Sequence, residues 1–138
     1  MTLFAYTDGA CRGNPGESGI GIIMKDELGH VVYEGSGYIG TATNNIAEYS
    51  ALLVCLAKAR ELSCLRLIVH SDSQLMVRQM VGQYRVKDKT LQQYYRRAQE
   101  LLKGASFRFE ILHVERELNR DADELANAGI DCRQELKI

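Results

Sequence analysis

The sequence predicts a mixed α/β domain, a sheet with helices packed on it, spanning residues 1–138 as a single unit. Three observations carry this. Apolar residues alternate with period two near the start of the chain. Later stretches switch to helical spacing. The resulting order is β-β-β-α-β-α-α-β-α, strands first and then alternation, which points to a sheet of mixed direction.

Residues 2–8 alternate, with Phe4, Tyr6 and Asp8 on one face and Leu3, Ala5 and Thr7 on the other, so a strand is expected there. It is expected to end at Asp8 and run into the glycine-rich loop GACRGNPG. A hairpin follows, with strands 19–26 and 30–40 about a turn at Glu27-Leu28-Gly29. Leu52, Cys55, Leu56, Ala59 and Leu62 fall at helical spacing and predict a helix over 45–62. Residues 64–72 read as a short apolar strand, and the segment Ser71 to Ser73 can cap a helix reaching Val81. Residues 91–103 are amphipathic, 106–114 alternate as a last strand, and Asn119 to Asp131 closes the domain as a helix.

Composition narrows the function classes. The chain is 46% hydrophobic and 25% charged with one proline, the profile of a globular protein. No apolar run approaches the roughly 20 residues that span a bilayer, and MTLFAYTDG lacks the basic start of a signal peptide, so a cytoplasmic protein without membrane contact is expected. Cys11, Cys55, Cys64 and Cys132 form no C-x-x-C pair, which disfavours zinc; a bridge through Cys132 stays open. The formal net charge of −1 conceals an asymmetry: residues 78–108 carry +6 and the remainder −7. A basic stripe beside an acidic region suits a bound polyanion, though a solvated helix face produces the same pattern.

Four acids stand in unusual places. Asp8 and Asp72 each end an apolar strand, and if those strands are parallel neighbours their carboxylates meet. Two unpaired anions there repel unless a cation lies between them. Each alone is also accounted for as a turn or cap residue. Glu48 lies on the inward stripe of the first long helix; with Asn45 as N-cap it would sit at the third helical position and could close a capping box. Asp123 falls in the acidic first turn of the last helix, where the dipole favours it. The chemistry that uses several carboxylates at strand and helix ends is two-metal phosphoryl hydrolysis, and hard oxygen ligands select Mg²⁺ or Mn²⁺.

The blocks TDGACRGNPG, TNNIAEYSAL, SDSQLMVRQM and NRDADELAN, in this order and spacing, resemble type 1 ribonuclease H across nearly the whole chain. The resemblance implies a ribonuclease H-like fold, a five-stranded mixed sheet with its first three strands antiparallel and helices on its flanks. It also implies endonucleolytic cleavage of RNA paired with DNA, leaving 5′-phosphate and 3′-hydroxyl ends. By motif, Asp8, Glu48, Asp72 and Asp123 are the catalytic, metal-binding acids, holding two ions. Asn14, Asn44, Asn45 and Gln74 match positions that contact the hybrid's minor groove, and Thr43 matches one that helps hold a DNA-strand phosphate. Amide side chains suit that task, since they can bond 2′-hydroxyls without reading sequence. The glycines are expected to let backbone and Asn14 approach the hybrid. A monomer acting on RNA/DNA hybrid is expected, with double-stranded RNA open as a second substrate.

Two departures from the family pattern matter. The segment from Val81 to Leu91 is short and has no tryptophan, like the subgroup lacking the extra basic helix; Arg85, Lys87, Lys89, Arg96 and Arg97 are expected to substitute in part. The loop before the last helix has no histidine, His113 reads as a structural strand residue, and Arg116 or Glu117 is expected to take over part of the loop's role. The rival classes are a catalytically weak hybrid or double-stranded RNA binding module, a DNA-directed nuclease on the same scaffold, and a nucleotide-binding ATPase. The clustered acids disfavour the first and the amide-rich blocks the second; the third needs a second phosphate loop that the sequence lacks.

Overall fold

A computed structural model of the chain describes residues 1–133, 135 and 136. Strand β1 (Thr2–Arg12) forms the centre of a five-stranded sheet with β2 (Gly16–Lys25), β3 (Val31–Ala42), β4 (Arg66–Ser71) and β5 (Arg108–His113), in the order β3-β2-β1-β4-β5. The first three strands are antiparallel, and β1, β4 and β5 are parallel to one another. The helices are α1 (Asn44–Glu61), α2 (Gln74–Met80), α3 (Lys89–Lys103) and α4 (Arg120–Cys132), with a 3₁₀ turn at Arg116–Leu118 that periodicity does not reveal.

The element order and the mixed sheet agree with expectation; several boundaries do not. Strand β1 continues through Arg12 instead of ending at Asp8, because Asp8 to Arg12 stay paired with Gly21 to Glu17 of β2. The supposed glycine loop is therefore mostly hairpin, and its turn is confined to residues 13–15. Helix α1 starts one residue early, capped by the Thr43 hydroxyl, which accepts from the Ile46 N–H at 3.2 Å. Asn45 is therefore not the N-cap and Glu48 closes no capping box. Asp88 caps α3 by accepting from the Leu91 N–H, which brings its start forward to Lys89. Ser73 caps α2 as the sequence suggests.

One sheet face carries Leu3, Ala5, Ile20, Ile22, Met24, Leu67 and Val69 into the main core against α1, with α3 packed behind it. Because α1 lies between sheet and α3, it is buried on most of its circumference, from Ala47 to Ala59. Its Tyr49 hydroxyl donates to the buried Gln79 of α2 at 2.6 Å. On the other face, α4 lies directly on β2: a Cβ at Gly21 would come within 2.2 Å of the Ala122 carbonyl oxygen. All four cysteines are free, so no bridge ties down Cys132. Among the described residues, no helix is long and apolar enough to cross a membrane.

Candidate active site

The site forms where β1 and β4 part. Their parallel ladder ends at Thr7–Ser71, and the next residues of the two segments are Asp8 and Asp72. Asp8 lies inside β1, held there by continued pairing with β2, whereas Asp72 stands just past the end of β4. Helix α1 reaches this point because residue 9 is glycine: a Cβ there would lie 2.5 Å from the Ala47 carbonyl carbon and 2.6 Å from the Glu48 nitrogen. The contact aims Glu48 at the strand, and its Oε1 accepts from the Gly9 N–H at 3.0 Å. Gly9 thus serves the approach of α1 to β1, a role different from the approach to nucleic acid expected of the glycines.

Asp8, Glu48 and Asp72 each place a carboxylate oxygen within 4.8 Å of the others. Asp8 is 4% exposed and Glu48 9%, so these two are largely cut off from water, while Asp72 is partly exposed. Asp123, in the first turn of α4, approaches Asp8 from outside that triad. Its carboxylate also accepts from the Asn127 side chain one turn on, at 3.3 Å.

The electrostatics follow from this crowding. Burial, followed by the charges of Glu48 and Asp72 and then the hydrogen bond and charge of Asp123, pushes the Asp8 carboxyl up to about 9. Burial and Asp72 push Glu48 up to about 8, against the Gly9 N–H and the Arg116 guanidinium, which favour its charged form. In the protein by itself, protons offset the excess negative charge at neutral pH. The donor set is all oxygen, anionic and convergent, which fits a hard divalent cation and no soft one. An acid cluster of this kind in an open cleft therefore points to divalent-metal use.

The remaining predicted residues separate into groups. Asn44 and Asn45 line the acid cleft with Ser73. Asn14, at the tip of the β1–β2 hairpin, accepts from the Asn44 N–H at 3.1 Å, so the two amide-bearing segments are joined. Thr43 uses its oxygen to cap α1 and keeps its hydroxyl proton for another acceptor. Gln74 is exposed at the start of α2. Arg85 and Arg96 line a groove at the bend between α2 and α3; Lys87 and Lys89 are exposed beside it, outside its lining.

Arg116 lines the acid cleft as expected, but Glu117 does not. It lines a separate recess with Tyr6, Lys25 and Asn119. A 3₁₀ turn sends consecutive side chains about a third of a turn apart, and the acid it turns into the cleft is Glu115. His113, expected to be structural, also lines the cleft and is exposed. The pairing of β5 places it there: β5 is parallel to β4, His113 pairs with Ser71, and its strand therefore ends where Asp72 begins. Tyr84, beside Arg85 in the basic groove, was missed as well; its ring lies against the Arg78 guanidinium at 5.3 Å.

Residues 6–129 match a protein-family model described as reverse transcriptase-like. The chain is 42% identical over 129 residues to ribonuclease HI of Halobacterium salinarum, covering 94% of this chain and 64% of that protein. It is 38% identical over 134 residues to a bifunctional protein of Mycobacterium tuberculosis, covering 96% of this chain and 36% of that one. The chain thus spans less than two-thirds of the length of either curated relative. Its fold matches the crystal structure of LC11 ribonuclease H1, isolated from compost by a metagenomic approach and solved in complex with RNA/DNA hybrid. That match has a TM-score of 0.90 at 40% identity and covers 94% of this chain and 97% of the other.

Proposed function

The chain belongs to the reverse transcriptase-like family of ribonuclease H domains, and from that premise we propose that it is an endonuclease hydrolysing the RNA strand of RNA/DNA hybrids with two Mg²⁺ or Mn²⁺ ions. One observation carries the reading: three carboxylates from three elements converge within 4.8 Å at the parting of β1 and β4, with Asp123 beside them. A binding module gains nothing from buried anions facing phosphate; a phosphodiester hydrolase needs them to hold cations.

Asp8 is the carboxylate that both groups of acids face, so it would hold both ions, with Glu48 and Asp72 completing one position and Asp123 the other. Bound there, the ions supply Lewis acidity at the scissile phosphate and a water of lowered pKa, giving 5′-phosphate and 3′-hydroxyl ends. The β1 backbone, paired on both sides up to Thr7, holds Asp8 rigid, and a rigid carboxylate sets the spacing between charges. Asn44 and Asn45, with Asn14 braced against them, form the rim that bonds 2′-hydroxyls and base edges. Gln74 extends that rim across Ser73, and the Thr43 hydroxyl donates to a DNA-strand phosphate. Arg116, the cation facing Glu48, draws phosphate into an otherwise anionic cleft. Arg85, with Lys87 and Lys89 beside it, grips the hybrid farther out.

The test is cleavage of an end-labelled hybrid by purified protein with Mg²⁺ or Mn²⁺. Asp8→Asn and Asp72→Asn are each expected to lower the rate by at least about 10³-fold while circular dichroism stays native, because each removes a charge that holds cations. Cleavage persisting in Asp8→Asn would overturn the assignment. The same assay on double-stranded RNA measures how far a rim that reads 2′-hydroxyls tolerates a second ribose strand.

A further inference from the structure

Asn119 occupies a place where a helix-capping side chain is expected and does something else. It is the N-cap of α4, yet its side chain makes no bond to the α4 backbone. Instead its Nδ2 donates across to the carbonyl of Thr7 at 2.9 Å. The residue is 1% exposed, and among the described residues neither its Oδ1 nor the buried Thr7 hydroxyl has a hydrogen-bond partner. Buried amides normally satisfy both ends. This one forgoes its cap and leaves an acceptor unpaired in order to reach β1.

The two ends of that bond locate its consequence. Thr7 immediately precedes Asp8 and is the last residue of the β1–β4 ladder. Asn119 begins the turn that carries Asp123, whose N–H donates to the Asn119 carbonyl at 3.1 Å. A single hydrogen bond, flanked by one residue of strand and one turn of helix, therefore links the Asp8 and Asp123 carboxylates. Other restraints on α4 act differently. Close approach to Gly21 sets its height above the sheet, and its ion pairs, Arg12–Asp131 and Lys25–Asp121, involve partly exposed side chains that can follow a shift. Farther along, the Ser36 hydroxyl donates to the Leu125 carbonyl and Gly129 lies against the Gly37 backbone, which hold the middle and end of α4, whereas the Asn119 bond ties its first turn, and with it Asp123, to β1.

We propose that Asn119 is a positioning residue: through the Thr7 carbonyl it fixes the separation of Asp8 from Asp123, and so the affinity of the ion that those two carboxylates share. This rests on reading the acid cluster as a two-ion centre. The site of Asp8, Glu48 and Asp72 does not depend on it, since Gly9 and α1 set that geometry.

Calorimetric titration with Mn²⁺ alone tests the idea on wild type, Asn119→Ala and Asn119→Asp. The aspartate variant keeps the volume and sets an acceptor against the Thr7 carbonyl. Both variants are expected to weaken the second Mn²⁺ binding event by about 10- to 100-fold, the usual scale for a group that orients metal ligands, and to leave the first unchanged. In the cleavage assay kcat at limiting Mg²⁺ should fall by a similar factor and recover with excess Mg²⁺, while KM for hybrid stays within about twofold. A folded variant with a wild-type isotherm would overturn the proposal. So would failure of both variants to fold, which would make Asn119 a folding residue. Failure of the wild type to bind Mn²⁺ or cut hybrid would instead overturn the metal-centre reading itself.

Discussion

Asp8 concentrates the electrostatic conflict of this molecule. It is nearly inaccessible to water, faces Glu48 and Asp72, and shares a proton-bonding contact with Asp123. Its carboxyl is held near 9 and that of Glu48 near 8, against ordinary values of 3.8 and 4.5. Both are raised, so without metal the folded protein binds more protons than the unfolded chain between about pH 4 and pH 9. The associated stability is fully present below the ordinary values and is lost as pH rises through about 8 to 9. Metal-free protein should therefore show a Tm that falls from pH 5 to pH 9, while added Mg²⁺ stabilises increasingly over the same range. Asp8→Asn should flatten that slope and raise the metal-free Tm at pH 8 by roughly 4 °C, corresponding to about 1 kcal/mol. Scanning calorimetry with and without chelator checks both; a Tm that climbs with pH in chelator would contradict the assignment.

At the scale of elements, the site depends on how closely two helices approach the sheet. α1 reaches β1 at Gly9, and α4 reaches β2 at Gly21, each with less room than a methyl group requires. Gly9→Ala places its Cβ 2.5 Å from α1 backbone, which cannot move aside as a side-chain end can. The expected result is a loss of about 1–3 kcal/mol with a larger fall in activity, since the displaced α1 carries Glu48 away from Asp8. Gly104→Ala is the matching control: its Cβ meets only the end of the Arg60 side chain at 3.1 Å, remote from the acids. Thermal unfolding and hybrid cleavage of the two variants, measured side by side, distinguish a specific close approach from a general intolerance of alanine.

Over the whole molecule, charge is divided between an acidic site and a basic stretch. Residues 78–108 carry +6 and the rest −7. The stretch runs from the end of α2 through the bend and α3 to the first residue of β5; Arg97 lines a separate recess, and Tyr84, Arg85 and Arg96 line the groove at the bend. A hybrid held there through its phosphates should bind with strong salt dependence. Replacing Arg85, Lys87 and Lys89 together with alanine is expected to raise KM and leave kcat near wild type. The slope of log KM against log salt should fall by roughly one for each cation that pairs with a phosphate in the wild type. An unchanged salt slope in the triple variant would place the hybrid elsewhere. Steering by this stretch is how a protein with a net charge of −1 would hold the proposed hybrid over an acidic cleft.

The sequence by itself determined the order of elements and the mixed sheet, and it singled out Asp8, Glu48 and Asp72, the three acids that converge. Those depend on short-range patterns: period-two alternation, helical spacing, and carboxylates placed at element ends. It also determined the helix cap at Ser73 and held the amide-rich block whose Asn44 and Asn45 line the acid cleft. The tertiary structure decided what depends on distant neighbours. Pairing with β2 carried β1 past Asp8 to Arg12. The close approach at Gly9 turned Glu48 from a candidate capping residue into a member of the cluster. A 3₁₀ turn sent Arg116 and Glu117 into different recesses, and the parallel register of β5 brought His113 to the cleft. Asn119 shows the division most plainly. As a residue before an acidic helix it is an ordinary cap; only the arrival of Thr7, over a hundred positions away in the chain, gave its amide a better partner.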